Sequence, residues 1–394
     1  MSKQSYRWLL LIFLCSWLLL CGIPSVAKAD GGAPNLAYVA GSDGGISRID
    51  VMQQKVSGTI SAAGKPSVIS LSLDGRFLYA AQEDQDRVAL IIAKTGEIFC
   101  TARVPGHPNR LVIDPNNSSI YAAGQGDSSV TIIDSTNCSI KRTLHVGGPV
   151  YGLAVAMVGS ALSSNGAGGD QLWVSDSDSL TIFDDVSGKQ LSQVHLAEGP
   201  RYLSIPPGAT VYATTNQGSV VAVDLNSHTI TTLITGGEYG PMDFNEGTGE
   251  IYVPDQKNKQ LAVLAPVNSG FQPPKEPSRT VTLPARPASV AITSDGQLGF
   301  VALADGQVDM LDIPNHEQVA ASYKVGGDPR FIITGLYPPS IVVNPSQASL
   351  LDNARTIAAY VLVAALFIVP FILFRRYAKA RPGNVRRDEV KTKE

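Results

Sequence analysis

The stretch "GHPNRLVIDPNNSSIYAAGQG" (106–126) contains a turn with Gly and Pro, an apolar run, a polar turn and an aromatic-led run of small residues. Short apolar runs separated by Gly, Pro, Asn and Asp are typical of neighbouring antiparallel strands. Versions of this phrase recur along the chain. Because self-similarity at a fixed period is the signature of a repeat architecture, this stretch and its copies predict a repeat fold.

A Pro that follows a turn residue and precedes an apolar run occurs seven times. We call these residues the anchor prolines: Pro66, Pro108, Pro149, Pro200, Pro241, Pro287 and Pro329. Their spacings are 42, 41, 51, 41, 46 and 42 residues. The two long spacings contain a Gly- and Ser-rich insertion (160–170) and a Pro-rich insertion (268–278). Both are predicted to be surface excursions.

Each repeat contains four short β-runs, of which the second begins with an aromatic residue, as in "LYAAQ" (78–82) and "IYAAG" (120–124). Four strands in about 40 residues are typical of a propeller blade. Residues 36–60 supply strands two to four of a blade, and the segment after Pro329 supplies a first strand. The sequence therefore predicts an all-β, seven-bladed β-propeller closed by three strands plus one.

The two ends of the chain predict export and anchoring. A basic start, an apolar run (8–23) and small residues at 27–29 indicate a signal peptide over residues 1–29, although an uncleaved anchor would place the following domain outside equally well. Residues 356–374 contain no charge, and 19 residues at about 1.5 Å per residue nearly span a hydrocarbon core of roughly 30 Å.

Charge sets the predicted orientation. The tail 375–394 holds eight Lys or Arg and three acids, so the positive-inside rule places it in the cytoplasm. The propeller (30–340) and a stalk (341–355) are then extracellular, and the chain is a single-pass protein of the cell membrane that contacts the lipid bilayer through 356–374. Residues 30–351 carry 19 Lys or Arg against 30 Asp or Glu, which argues against nucleic acid as a partner.

Two cysteines remain outside the signal segment. Cys100 and Cys138 fall near the starts of fourth strands in neighbouring blades, and such strands are neighbours at the rim. An exported protein allows a disulfide between them, and two free apolar thiols are the alternative. We expect no metal site and no cofactor, because no metal-ligand spacing, nucleophile elbow or phosphate loop occurs.

The phrase "SLDGRFLYAAQ" (72–82) and its relatives resemble the YVTN-type seven-bladed β-propellers of bacterial and archaeal cell surfaces. The resemblance covers about residues 36–340. The aromatic of the family's Tyr-Val-Thr-Asn tetrad is kept here, whereas the Thr-Asn is degenerate. The resemblance implies the fold but not the reaction, since similar blades serve lactonases, cofactor-dependent dehydrogenases and binding proteins.

In such a ring the first strand of every blade lines the central channel, so the loops at the anchor prolines converge at one mouth. The residues directly after these prolines are expected to surround it. Its polar members, the predicted ligand-binding residues, are Asn109, Arg110, Tyr151, Arg201, Tyr202, Asp243 and Arg330. Three arginines on an acidic domain favour a small anion, a carboxylated sugar or an acidic peptide end. Alternatively, these residues only solvate the mouth and pair among themselves.

Two functions fit this sequence. The favoured hypothesis is a binding or scaffolding module for a surface protein or a small, preferably anionic, ligand outside the cell. The alternative is an enzyme of the lactonase or a related hydrolase type, with its site at the mouth of the channel. An enzyme requires a convergent acid or base with a perturbed pKa, whereas a binding module requires only shape and a few polar anchors. No catalytic residue is identified from the sequence.

Overall fold

A computed structural model describes residues 35–61, 63–114, 118–157, 170–267 and 275–336. These residues form seven antiparallel sheets of four strands each, which we number as blades one to seven from the first anchor proline. One short 3-10 helix (Glu83–Gln85) connects the second and third strands of blade one. The predicted all-β, seven-bladed propeller is thereby confirmed.

The described residues begin in blade seven with β1 (Leu36–Ser42), β2 (Gly45–Asp50) and β3 (Lys55–Ile60). Blade one contains β4 (Val68–Leu71), β5 (Phe77–Gln82), β6 (Arg87–Ile92) and β7 (Ile98–Arg103). Blade two contains β8 (Pro108–Asp114), β9 (Ser119–Gly124), β10 (Ser129–Asp134) and β11 (Ile140–His145). Blade three contains β12 (Gly152–Ala156), β13 (Gln171–Ser175), β14 (Ser179–Asp184) and β15 (Gln190–His195).

Blade four contains β16 (Pro200–Ser204), β17 (Thr210–Thr215), β18 (Ser219–Asp224) and β19 (Ile230–Thr235). Blade five contains β20 (Asp243–Phe244), β21 (Ile251–Asp255), β22 (Gln260–Leu264) and β23 (Arg279–Thr282). Blade six contains β24 (Pro287–Ile292), β25 (Leu298–Leu303), β26 (Gln307–Asp312) and β27 (Gln318–Lys324), and β28 (Phe331–Gly335) is the first strand of blade seven.

Blade seven is built from both ends of the described chain. Its strand order is β28-β1-β2-β3, and β1 pairs antiparallel with β28 from Leu36↔Gly335 to Ala40↔Phe331. The amide of Arg330 also donates to the carbonyl of Ala40 at 2.9 Å, which extends the pairing toward the anchor. This is the predicted closure of three strands plus one, and it leaves no blade with an unpaired inner strand.

The second strand of every blade carries one buried aromatic side chain in the same register. These side chains are Tyr38, Tyr79, Tyr121, Trp173, Tyr212, Tyr252 and Phe300. They pack into seven apolar clusters, each of which draws its side chains from two neighbouring blades. The core is therefore a ring of interfaces, and every blade depends on the blades on either side of it.

A disulfide links the outer strands of blades one and two. Cys100 lies in β7 and Cys138 lies in the turn before β11, and their Cα atoms are 6.0 Å apart. Cys138 adopts a left-handed backbone conformation, with φ of 62°. The bond spans 38 residues of sequence and closes one complete repeat.

The signal peptide, the stalk, the membrane span and the basic tail were predicted for residues 1–29, 341–355, 356–374 and 375–394. All four lie outside the described residues. Within the part of the chain that the structure describes, no helix has the length and apolar character needed to cross a membrane.

We expect a double Cys100→Ser/Cys138→Ser variant to lose about 3–4 kcal/mol of unfolding free energy, because the bond removes loop-closure entropy from the unfolded chain. Denaturant titration of variant and wild type measures the loss. Counting thiols in unfolded wild type before and after reduction checks the premise: reduction should add two reactive thiols, and no increase would contradict it.

Candidate functional site

The first strands of the blades line a central channel, and the segments at their anchor prolines form its mouth. A cavity of about 460 Å³ occupies this mouth. All seven blades contribute to it, from Val68 of blade one round to Phe331 of blade seven. The mouth predicted from the seven anchors is therefore a real concavity in the structure.

Six of the seven predicted ligand-binding residues lie in the walls of the mouth or directly beside it. Asn109, Arg110, Tyr202 and Arg330 line the cavity. Tyr151 and Arg201 adjoin it through contacts with these residues.

Arg110 is held rigidly at the mouth. Its guanidinium lies 4.8 Å from the centre of the Tyr202 ring, its Nη1 donates to the carbonyl of Asn109 at 2.6 Å, and its Nε donates to the carbonyl of Tyr151. All of these partners are neutral. Burial is the main cause that lowers the pKa of Arg110 from its ordinary value, although the group stays a cation near neutral pH.

A second cation–aromatic pair joins blades three and four beside the first. The guanidinium of Arg201 lies 3.9 Å from the centre of the Tyr151 ring, and its Nη2 donates to Asn216 at 2.8 Å. The backbones of blades three and four also approach closely at Gly152, because a Cβ added there would lie only 2.0 Å from the carbonyl oxygen of Arg201. Arg110 of blade two and Tyr202 of blade four meet across blade three.

Arg330 differs from the other arginines because it has acidic partners. Its Nε donates to Asp328 at 3.1 Å, and its Nη1 lies 3.9 Å from a carboxylate oxygen of Glu83. Glu83 also accepts a hydrogen bond of 3.3 Å from the side-chain amide of Asn109. Arg330 and Asn109 thus pair with acidic residues outside the predicted set, whereas the contacts of Arg110 and Arg201 with Tyr202 and Tyr151 are pairs within it.

Asp243 does not lie at the mouth, and its predicted place there was wrong. In blade two, the residue that pairs with the buried aromatic Tyr121 is Val112, four residues after its anchor proline. In blade five, the residue that pairs with the buried aromatic Tyr252 is Asp243, only two residues after Pro241. The chain of blade five therefore enters the channel earlier than in the other blades. Asp243 borders a different cavity, formed where the first strands end.

Three residues outside the predicted set also line the mouth: Gln256, Arg286 and Asp328. The predicted residues all directly follow an anchor proline. Arg286 and Asp328 directly precede Pro287 and Pro329, so including the preceding position would have found both. Gln256 follows a second strand, and no signal in the repeat points to it.

The mouth carries positive charge that the protein neutralises only in part. Among the described residues, no carboxylate lies within ion-pair distance of Arg110, Arg201 or Arg286. Burial and the charge of Arg201 lower the pKa of Arg110, and the charge of Glu83 opposes this only in part. An anion in the cavity would supply further negative charge.

Three carboxylates meet at the distal end of β8, away from the mouth. One oxygen from each of Asp114, Asp170 and Asp185 lies within 4.8 Å of the others, and the Tyr121 hydroxyl donates to Asp114 at 3.5 Å. Carboxylate oxygens are ligands that Ca²⁺ and Mg²⁺ accept. The three residues come from separate segments, so the sequence analysis, which predicted no metal ligands, had no spacing by which to group them.

Comparison with known proteins supports the fold. No protein-family model matches the chain, and no characterised relative is found by sequence. A proposed 6-phosphogluconolactonase from Bacteroides uniformis has a similar structure, with a TM-score of 0.60 and 16% identity, over 76% of this chain and 99% of that chain. The YVTN type of the repeats is not established by these comparisons.

Two further propellers show how widely the fold is shared. The β-propeller domain of Cps50 (Swd1) from Myceliophteria thermophila has a TM-score of 0.56 and 14% identity, over 67% of this chain and 87% of that chain. Hydrazine synthase from Kuenenia stuttgartiensis has a TM-score of 0.53 and 17% identity, over 66% of this chain and 80% of that chain. Identities this low establish a common fold and no common activity.

The three-carboxylate group predicts a pH dependence of stability. Burial, followed by the neighbouring Asp114 and Asp170, raises the pKa of Asp185 from 3.8 to about 7. The folded protein therefore binds this proton more tightly than the unfolded chain does. The free energy of unfolding falls as pH rises from about 4 to 7, because the folded protein loses this bound proton. We expect Asp185→Asn to flatten the fall of unfolding free energy over that range, as measured by denaturant titration.

Asp305→Asn, in an exposed turn, is the matched control and is expected to keep the slope of the wild type. An unchanged slope in Asp185→Asn would contradict the assignment of the raised pKa.

Proposed function

We propose that this protein is a binding module, anchored outside the cell, whose channel mouth captures a small anionic ligand. One observation carries the proposal: Arg110 and Arg286 line one cavity, Arg201 adjoins it, and none of the three forms an ion pair with a described carboxylate. Two of these cations are fixed in place by aromatic rings and neutral acceptors, so the site is preorganised before a ligand arrives.

The chemistry of the mouth favours a carboxylate ligand. Guanidinium groups bind carboxylates through parallel, charge-assisted hydrogen bonds, and Arg keeps its charge even where burial lowers its pKa. Gln256 adds an amide that can donate and accept, and Tyr202 adds an aromatic face. A carboxylate that carries further polar groups, such as a carboxylated sugar, fits these neighbours better than a purely apolar acid.

Anchoring is the second part of the proposal and rests on the sequence. The uncharged stretch 356–374, followed by the basic tail, supports a single span with the propeller outside. A rigid closed ring held at the cell surface is suited to presenting a ligand site or to docking a surface protein. The proposal includes no cofactor and no nucleic-acid partner.

A hydrolase of the lactonase type is the alternative, and the likeness to the proposed 6-phosphogluconolactonase is its support. Such an enzyme requires an acid or base at the reacting group. Two carboxylates at the mouth, Glu83 and Asp328, both interact with Arg330. Asp243, whose pKa burial raises to about 7, borders the other cavity. The arrangement at the mouth therefore favours binding over catalysis.

Calorimetric titration of the full chain with glucuronate and with glutarate tests the proposal, with glucose and glutaramide as the uncharged counterparts. We expect the anions to bind and the uncharged compounds not to bind. Arg110→Gln or Arg286→Gln should weaken anion binding about tenfold to a hundredfold, because each removes a charge-assisted hydrogen bond.

Arg103→Gln removes one positive charge from the exposed outer strand of blade one and is the matched control. It is expected to bind like the wild type. Failure of both anions to bind, or equal losses in all three variants, would refute the proposed function.

A further inference from the structure

A second cavity, of about 600 Å³, lies at the other end of the channel. The mouth is lined by residues at the beginnings of the first strands, whereas this cavity is lined by residues at their ends and in the turns that follow. Because every first strand begins at its anchor and runs in the same direction along the channel, the two cavities occupy opposite ends. We call the second one the distal cavity.

The end of the first strand of blade five and the turn after it border the distal cavity. This strand, β20, has only two residues, Asp243 and Phe244, whereas the first strands of the other blades have at least four. After Phe244 the chain turns at Asn245, whose side-chain oxygen accepts the amides of Gly247 and Thr248. The residues that line the distal cavity come from blades five, six, seven and one.

One part of the distal cavity wall is apolar. Its apolar side chains come from the four blades that surround the space: Leu71, Leu73, Phe244, Ile292 and Leu336. Leu73 stands at the rim and is 82% exposed. A ligand with a hydrocarbon part would remove this surface from water.

The charged part of the wall is entirely acidic. Asp243 is half-buried inside the cavity, and Glu246 and Asp295 are exposed at its edge. No Lys, Arg or His is present among the described lining residues. The hydroxyl groups of Ser72, Ser294 and Thr334 complete the polar surface.

Asp243 is fixed by the fold and points its charge into the cavity region. Its Oδ2 accepts the amide of Ile292 at 2.7 Å across the gap between blades five and six. Burial raises the pKa of Asp243 to about 7, and the charge of Glu246 adds to this effect. Within the described residues, no cation forms an ion pair with either group.

We propose that the distal cavity is a binding site for an amphiphilic organic cation, in which an alkyl chain lies against the apolar wall and an ammonium group faces Asp243 and Glu246. A cation there compensates a carboxylate that the fold removes from water and leaves without a positive partner. The alkyl part covers leucine surface that the ring leaves exposed. The site is independent of the anion site at the mouth.

The test uses four small probes on the full chain: butylammonium, ethylammonium, butyrate and butan-1-ol. Saturation-transfer NMR detects contact and calorimetry gives affinity. We expect butylammonium to bind about tenfold more tightly than ethylammonium, from two additional buried methylene groups. Butyrate and butan-1-ol are expected not to bind. Binding of butan-1-ol or butyrate as tight as that of butylammonium would overturn the proposal, as would no binding of butylammonium.

Substitutions locate the site. Asp243→Asn keeps an oxygen for the amide of Ile292 and is expected to weaken butylammonium binding about tenfold or more. Glu246→Gln, at the exposed edge, should weaken it about threefold. Glu276→Gln removes an exposed carboxylate elsewhere and is the control, with unchanged affinity expected.

Thermal unfolding of the three variants separates a loss of binding from a loss of fold. If Asp243→Asn folds like the wild type and binds butylammonium equally well, the proposal is wrong. These variants leave the mouth arginines unchanged, so a negative result here does not test the proposed anion site. A negative result in the anion titrations likewise does not test the distal cavity.

Discussion

Pairing between the first described strand and the last one is the interaction on which the rest of the structure depends. The hydrogen bonds between β1 and β28 join segments almost 300 residues apart in sequence and complete blade seven. The seven apolar clusters each lie between two blades, so an open ring would expose two faces at once. The channel, and therefore both cavities, exists only while the ring is closed. Closure of this kind couples the stability of every blade to one pair of strands.

Within this ring, all first strands run in the same direction, so one cavity lies at their beginnings and the other at their ends. The mouth is made from the segments at the anchor prolines, where Arg110, Arg201 and Arg286 bring positive charge. The distal cavity is made from the turns after the first strands, where Asp243 and Glu246 bring negative charge. One scaffold thus presents two cavities of opposite charge along a single axis.

The fold was predictable because it repeats: seven prolines, seven aromatic side chains and the split final blade are all visible in the amino-acid sequence. The mouth was partly predictable, since the anchors converge wherever the blades follow the common pattern. Asp243 was misplaced because the pairing of β20 opposite Tyr252 depends on tertiary packing, and "YGPMDFNEG" (239–247) contains no alternation from which to read the register. The three carboxylates around Asp185 were missed for a related reason: only the folded chain brings their segments together.

Hydrogen–deuterium exchange at the closing strands tests the central claim most directly. If β1 and β28 hold the ring closed, the amides of residues 36–40 and 331–335 are protected as strongly as those of β17 and β18, which lie far from the closure. All of these amides should then open in one cooperative step. Fast exchange at 36–40 and 331–335, with protection retained in β17 and β18, would show that this pairing does not hold the ring closed.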